Sequence, residues 1–214
     1  MKISLLCSDA KHPVNKHLKK WASIQKDVYQ VELVRRKNKL KGGDILFLIS
    51  CTEILNANDR SNYRKTLVLH ASDLPYGRGW SPHIWQLIKG AEEIILTLFE
   101  AEDKLDSGLI WSKVKIPIPK HALWDEINLL LHEAEIKLID LAIREFNTIH
   151  PTAQEPLSKA NYFSKRTPSD SIIDPTKTIS TEFNKIRVCD PNRYPAYFEL
   201  HGKKYKIILE KFND

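Results

Sequence analysis

The chain has 214 residues, 42% hydrophobic and 28% charged, with five Trp, seven Tyr and seven Phe. That composition excludes global disorder and allows one large domain, or one domain with a short appendage, around a packed core. A formal charge of +6 suits an anionic partner, yet the basic runs Lys16 to Lys20 and Arg35 to Lys39 are too short and dispersed for more than a solvated face.

In chain order, Ile3 to Cys7 is a short apolar run expected to form a buried strand, not a signal peptide. No apolar run approaches the ~18 residues of a membrane span. Cys7, Cys51 and Cys189 are scattered and form no C-x-x-C, which predicts buried thiols in a reducing cytoplasm, not a disulfide framework or a zinc ribbon. Pro13 to Trp21 reads as a helix, and Tyr29 to Val34 as a second strand. Gly42-Gly43 punctuates before Asp44 to Ile49, a continuous apolar run expected for a strand covered on both faces. Thr66 to Leu69 is another such run, leading into His70. Ser81-Pro82 offers an N-cap and a first helical position for His83 to Lys89, which Gly90 stops. Ile94 to Phe99 and Leu109 to Ile118 supply two more strands.

The alternation predicts an α/β fold with a mostly parallel, Rossmann-like sheet and helices on both faces. Asp125 to Phe146 carries apolar residues at helical spacing, among them Ile127, Leu131, Leu138 and Ala142, and predicts a long helix packed on the core. From His150 the character changes to Pro, Ser, Thr and Asp, suggesting loops. Tyr197 to Leu200 and Tyr205 to Leu209 then read as a β-hairpin around Gly202. The expected organisation is a core over residues 1–150 and a C-terminal extension over residues 151–214.

Chemistry concentrates between Thr66 and Gly108. In a doubly wound sheet, ligands gather at the carboxyl ends of strands. His70 leaves a buried strand and Asp106 precedes another, so the two can meet. A carboxylate beside an imidazole fixes its tautomer and favours its charged form, which suits acid/base work.

The segment Val68-Leu69-His70-Ala71-Ser72-Asp73-Leu74-Pro75, the turn Gly77-Arg78-Gly79 and Asp106-Ser107-Gly108 resemble the formyltransferase superfamily that uses N10-formyltetrahydrofolate. Its pattern runs N-x-H-x-S-x-L-P, an R-G or P-G turn, a helix, a strand and D-x-G, and the likeness spans about residues 44–120. The resemblance implies acyl transfer to an amine without a metal, with His70 stabilising or protonating an oxyanion and Asp106 orienting it. It also implies a pterin site between Ser50, Cys51, Thr52, Glu53 and Ile54 on one side and Glu102, Asp103 and Leu105 on the other.

One departure stands out. The family places an asparagine two residues before the histidine, and this chain has Val68 there. Losing one oxyanion donor costs ~2.7–4 kcal/mol of barrier. Three explanations remain open: another donor (Ser72, Ser50, Asn56 or a backbone N–H), a slow enzyme, or a retained fold without activity.

About 60 residues follow the long helix, too few for the nucleic-acid-binding barrel of methionyl-tRNA formyltransferases. The tail is instead similar to that of sugar-nucleotide N-formyltransferases of surface-glycan pathways. Arg166, Arg187 and Arg193 offer forked donors for a pyrophosphate, and Tyr162, Tyr194 and Tyr197 offer faces for a base. Lys165 belongs to the same stretch, while Ser72, Arg78, Gly79 and Trp80 are placed to line the sugar pocket or support its turn. The implied partner is a nucleotide-linked amino sugar, most like a UDP-4-amino-4,6-dideoxy-hexosamine of a pseudaminic-acid pathway. A homodimer is compatible, and neither nucleic acid nor membrane is expected to bind.

Overall fold

The structure, a computed structural model, describes residues 1–155 and 161–212. The chain runs β1 (Lys2–Leu6), α1 (Val14–Gln25), β2 (Gln30–Val34), β3 (Gly43–Ile49), α2 (Ala57–Arg60), β4 (Tyr63–His70), β5 (Arg78–Gly79) and α3 (Pro82–Ile88). It continues through β6 (Glu93–Glu100), β7 (Ile110–Pro117), α4 (Trp124–Arg144), β8 (Tyr162–Phe163), α5 (Ile179–Arg187), β9 (Ala196–Leu200) and β10 (Lys203–Ile207).

Six strands form one sheet in the order β2-β1-β3-β4-β6-β7. β1, β2, β3 and β4 pair in parallel, while β6 runs antiparallel to both β4 and β7. The sheet is therefore mostly parallel, with one reversed strand. Alternation sorts the side chains: Ile3, Leu5, Ile45, Phe47, Ile49, Leu67 and Leu69 enter the larger core, and Leu6, Leu46 and Leu48 enter the smaller one. The larger core receives the apolar faces of α1, α3 and α4. The second face carries Leu40, Cys51, Leu55 and Ala101 from loops, next to short α2, so helical cover is strong on one face and slight on the other.

Local chemistry explains most boundaries. α4 buries Ile127, Leu131, Leu138, Ile139 and Ala142, and each large aliphatic contributes about 2 kcal/mol by leaving water. Its Glu126 carboxylate turns back to accept from the Leu123 N–H at 2.8 Å, relieving one orphan donor of the first turn. α1 continues past Trp21 to Gln25, because nothing in Ala22-Ser23-Ile24 breaks a helix. Ser81 does precede α3, but its backbone is left-handed (φ 45°) and its side chain makes no capping bond. The hairpin turn is tighter than expected: His201 and Gly202 alone join β9 to β10, both at positive φ (50° and 72°), as a type I′ turn requires.

The extension packs on the same core. Ile173, Ile186, Val188, Cys189 and Ala196 lie in the larger cluster, β8 pairs with β5, and Thr152 bridges to Ile110 at the start of β7. Among the described residues no helix is long and apolar enough to cross a membrane.

Candidate active site

Strand order reverses between β1 and β3, which places a crevice beyond their carboxyl ends. The loops there are stitched together: the Thr52 N–H donates to Ser8 Oγ at 2.9 Å. His70 is the last residue of neighbouring β4 and is 9% exposed. Its Nε2 lies 2.9 Å from the Gly77 carbonyl oxygen, which can only accept, so Nε2 carries the proton in this arrangement. The edge of the Phe99 ring packs against the imidazole, with centroids 6.3 Å apart.

Asp106 reaches this point by a detour. β6 ends with Glu100 opposite Leu67, three residues short of His70, and the following loop doubles back. Asp106 Oδ2 then stands 3.9 Å from His70 Nε2 and accepts from the Gly79 N–H at 2.9 Å. The ring is thus fixed by the Gly77 carbonyl, and the carboxylate acts on it at ion-pair range. Gly108 makes the detour sterically feasible, since a Cβ there would lie 1.8 Å from the Glu100 carbonyl oxygen.

Val68 is half-buried, in register with Leu48 on β3 and Phe99 on β6. Of its suggested stand-ins, Asn56 caps α2 by accepting from the Asp59 N–H, whereas Ser72 Oγ, two residues beyond His70, is buried without a hydrogen-bond partner among the described residues.

The two loops expected to hold a pterin face each other across Arg60, a residue the sequence reading missed. Its guanidinium donates to the Leu55 carbonyl and to Asp103, both at 2.7 Å, and so ties the loops together. Ser50 takes a left-handed backbone (φ 47°), Cys51 gives its thiol hydrogen to the Glu53 carbonyl, and Glu53 accepts from the Lys37 N–H. Ile54 and Leu105 are exposed. A cleft of about 290 Å³ opens near the amino end of β4, lined by Arg60, Thr66, Ala101 and Glu102 among others. Of the expected pterin residues only Glu102 lines it. Thr66, one of its lining residues, has a buried Oγ1 with no hydrogen-bond partner among the described residues.

The acceptor-side residues separate into groups. Next to the dyad, Trp80 is 38% exposed beneath the Lys165 ammonium, and Tyr162 offers its hydroxyl to Arg78 at 3.4 Å. Farther along the extension, Arg166 and Arg193 both lie over the Tyr194 ring, 5.5 and 5.9 Å from its centroid, and Arg193 also pairs with Asp9 at 2.6 Å in the loop after β1. Burial, then the fields of His132, His70, His12 and Arg166, push the His83 pKa down to about 3. Burial and the Arg193 charge likewise bring His12 down to about 4.

Two arginines stand elsewhere than expected. Arg187 is 2% exposed and donates to the carbonyls of Pro119 and Ala122 and to Asn184, so its guanidinium joins α5 to the loop before α4. Arg78 is 1% exposed, sealed behind the turn and not lining an open pocket. Tyr197 belongs to the hairpin, where it sits under the Lys204 ammonium. Gly79 contributes its backbone N–H to Asp106, and a Cβ on it would strike the Phe163 carbonyl at 2.4 Å.

A family model described as formyl transferase matches residues 4–143. A structure of a methionyl-tRNA formyltransferase from Clostridium thermocellum is 19% identical, covers 97% of this chain and 97% of its own, and superposes with a TM-score of 0.80. A 4-N formyltransferase from Francisella tularensis is 18% identical over 100% of this chain and 98% of its own, with a TM-score of 0.76. HypX from Aquifex aeolicus, solved with tetrahydrofolic acid, is 20% identical over 95% of this chain and 36% of its own, with a TM-score of 0.74. At these identities the superpositions establish a shared fold.

Proposed function

We propose, since this chain belongs to the formyl transferase family, that it moves a formyl group from N10-formyltetrahydrofolate to the amine of a nucleotide-linked amino sugar. The observation that carries this reading is the meeting of His70 and Asp106 at the carboxyl end of β4. The cleft is lined by the polar residues Arg60, Lys65, Thr66 and Glu102, which fits a polar heterocycle that these residues and the loop joined by Arg60 would hold. The folate supplies an activated formyl carbon when bound. His70 then turns its Nε2 hydrogen, or its proton, from the Gly77 carbonyl to charge developing on oxygen. Asp106 Oδ1, which accepts no hydrogen bond among the described residues, takes the proton that the acceptor amine loses and passes it to the folate N10 as the formyl C–N10 bond breaks.

Arg166 and Arg193 around Tyr194 support a nucleoside diphosphate on the acceptor side, with a forked donor for each phosphate and an aromatic face for the base. A UDP-4-amino-4,6-dideoxy-hexosamine of pseudaminic-type glycan synthesis is the acceptor we assign, with a dTDP-linked amino sugar next. The description of the Francisella protein as a 4-N formyltransferase supports an amine at ring position 4. Charged initiator tRNA is the second reading, favoured by the Clostridium protein whose length this chain matches. The test is incubation with N10-formyltetrahydrofolate and each acceptor, following release of the free folate. Turnover with a UDP-amino sugar is expected; tight nucleotide-sugar binding with no turnover would instead make the chain a sensor on a formyltransferase fold.

A further inference from the structure

Asp106 is a non-glycine residue in the left-handed region, at φ 52°, on a loop that must hold its carboxylate beside His70. Such a conformation is strained and persists only where the surroundings over-determine it. The restraint comes from one side chain in the Pro-rich segment after α4. Gln154 Nε2 donates to the Asp106 carbonyl at 3.1 Å and to the Gly108 carbonyl at 3.0 Å, which uses both amide hydrogens on the two ends of the turn. Its Oε1 accepts from Arg78 Nη2 at 2.8 Å. Arg78 is itself buried, and the backbone on either side of it supplies the other two contacts of the dyad: the Gly77 carbonyl to His70 and the Gly79 N–H to Asp106.

The backbone of Gln154 is also anchored. Thr152, two residues earlier, exchanges both backbone hydrogen bonds with Ile110, at 2.7 and 2.9 Å, where β7 begins. After the intervening segment, Asn161 Oδ1 accepts from the Gly77 N–H at 2.7 Å, and its carbonyl accepts from the Arg78 N–H. One stretch of the extension thus clasps both loops that present the dyad.

We infer that Gln154, backed by Arg78, is a positioning residue for the acid/base pair: it latches the strained Asp106 turn to the Gly77–Gly79 turn and so sets the separation of His70 and Asp106. The inference rests on the assignment of those two residues above. An amide is what the site requires, because it offers two donors to two carbonyls and an acceptor to a cation. A carboxylate there would keep Arg78 but face two carbonyl oxygens without a proton to offer.

Gln154→Ala and Gln154→Glu test this together, with kcat and KM measured beside the ¹H–¹⁵N resonance of Gly79, whose amide proton reports its bond to Asp106. Both variants are expected to lose about 100-fold in kcat, the scale of an ångström-sized misplacement, with KM changed by no more than about threefold. In both, the Gly79 amide proton should move upfield. Gln154→Glu keeps the Arg78 contact and so stays folded should the alanine variant not. Native kcat, or lost kcat with an unmoved Gly79 resonance, would overturn the latch. Asp106→Asn separates the two ideas: native turnover in that variant removes the dyad reading, while the Gly79 resonance in the Gln154 variants still decides whether the latch exists.

Discussion

The four arginines first considered as ligand contacts divide into two physical kinds. Arg78 and Arg187 are sealed at 1% and 2% exposure and donate to carbonyls, amide oxygens and a hydroxyl of this chain. Arg166 and Arg193 are half-buried over one tyrosine ring, and the Arg193 side chain is 28% exposed. A buried guanidinium bonded to several groups of its own chain works as a multi-point clamp, because removing it strands those acceptors at once. A half-open one keeps donors for an anion that arrives later. The turn beside the dyad is therefore held by its cation, while at the far end of the extension Arg166, bonded to Ser171, and Arg193, paired with Asp9, stay only half-buried.

The largest effect should come at the rigid end. His70→Asn keeps a side chain of similar polarity and removes the titrating ring, and it should lower kcat by about 1,000-fold, within the range for general acid/base catalysis. Nucleotide-sugar affinity, measured by calorimetry, should change little. Near-native kcat would place the chemistry on another group. Next comes the other clamp: Arg187→Met preserves the apolar stem but leaves the carbonyls of Pro119 and Ala122 without their donor. A loss of about 2–3 kcal/mol in denaturant unfolding is expected, with KM for the acceptor unchanged. A raised KM with native stability would return Arg187 to the ligand side and break the division.

The strands, the long helix and the convergence of His70 with Asp106 were legible because each is written locally, in an apolar run or a short motif. The gap at Val68 was legible for the same reason. Gln154 was not, since its partners Arg78, Asp106 and Gly108 lie 76, 48 and 46 positions away and no neighbouring residue marks it. Arg187 misled for a related reason. An arginine in a basic tail reads the same whether it faces water or two carbonyls, and only packing of α5 beside the loop before α4 decides. The slight helical cover of the second sheet face was hidden too, because continuous apolar strands imply burial without saying by what.

The open pair gives a smaller and different signature. Arg193→Ala and Arg166→Ala should each raise the acceptor KM by about tenfold, close to 1.4 kcal/mol of binding, with kcat held. The effect should shrink as salt rises, since half-exposed charges are screened. A drop in kcat at constant KM would move these residues to the rigid class. Arg193 carries a second role through Asp9, and Asp9→Asn should leave the folate KM untouched while altering the acceptor KM.

The smallest expected effect concerns His83 and His12, between the two regions. Both are held neutral in the folded protein, at about 3 and about 4, chiefly by burial and then by neighbouring positive charge. In the unfolded chain each titrates near 6.5. Between about pH 6.5 and pH 4 the unfolded state therefore binds more protons than the folded one, so stability must fall as pH falls through that window and be fully present above it. The melting temperature, followed across this range, should drop for the native protein and drop less for His83→Gln, which cannot charge. Arg166→Ala should raise the folded pKa of His83 and also flatten the slope, because Arg166 is one of the charges that depress it. Equal slopes for all three proteins would mean that the His83 ring exchanges its proton with water as freely folded as unfolded, and that Arg166 lies too far from it to link the acceptor end to the dyad.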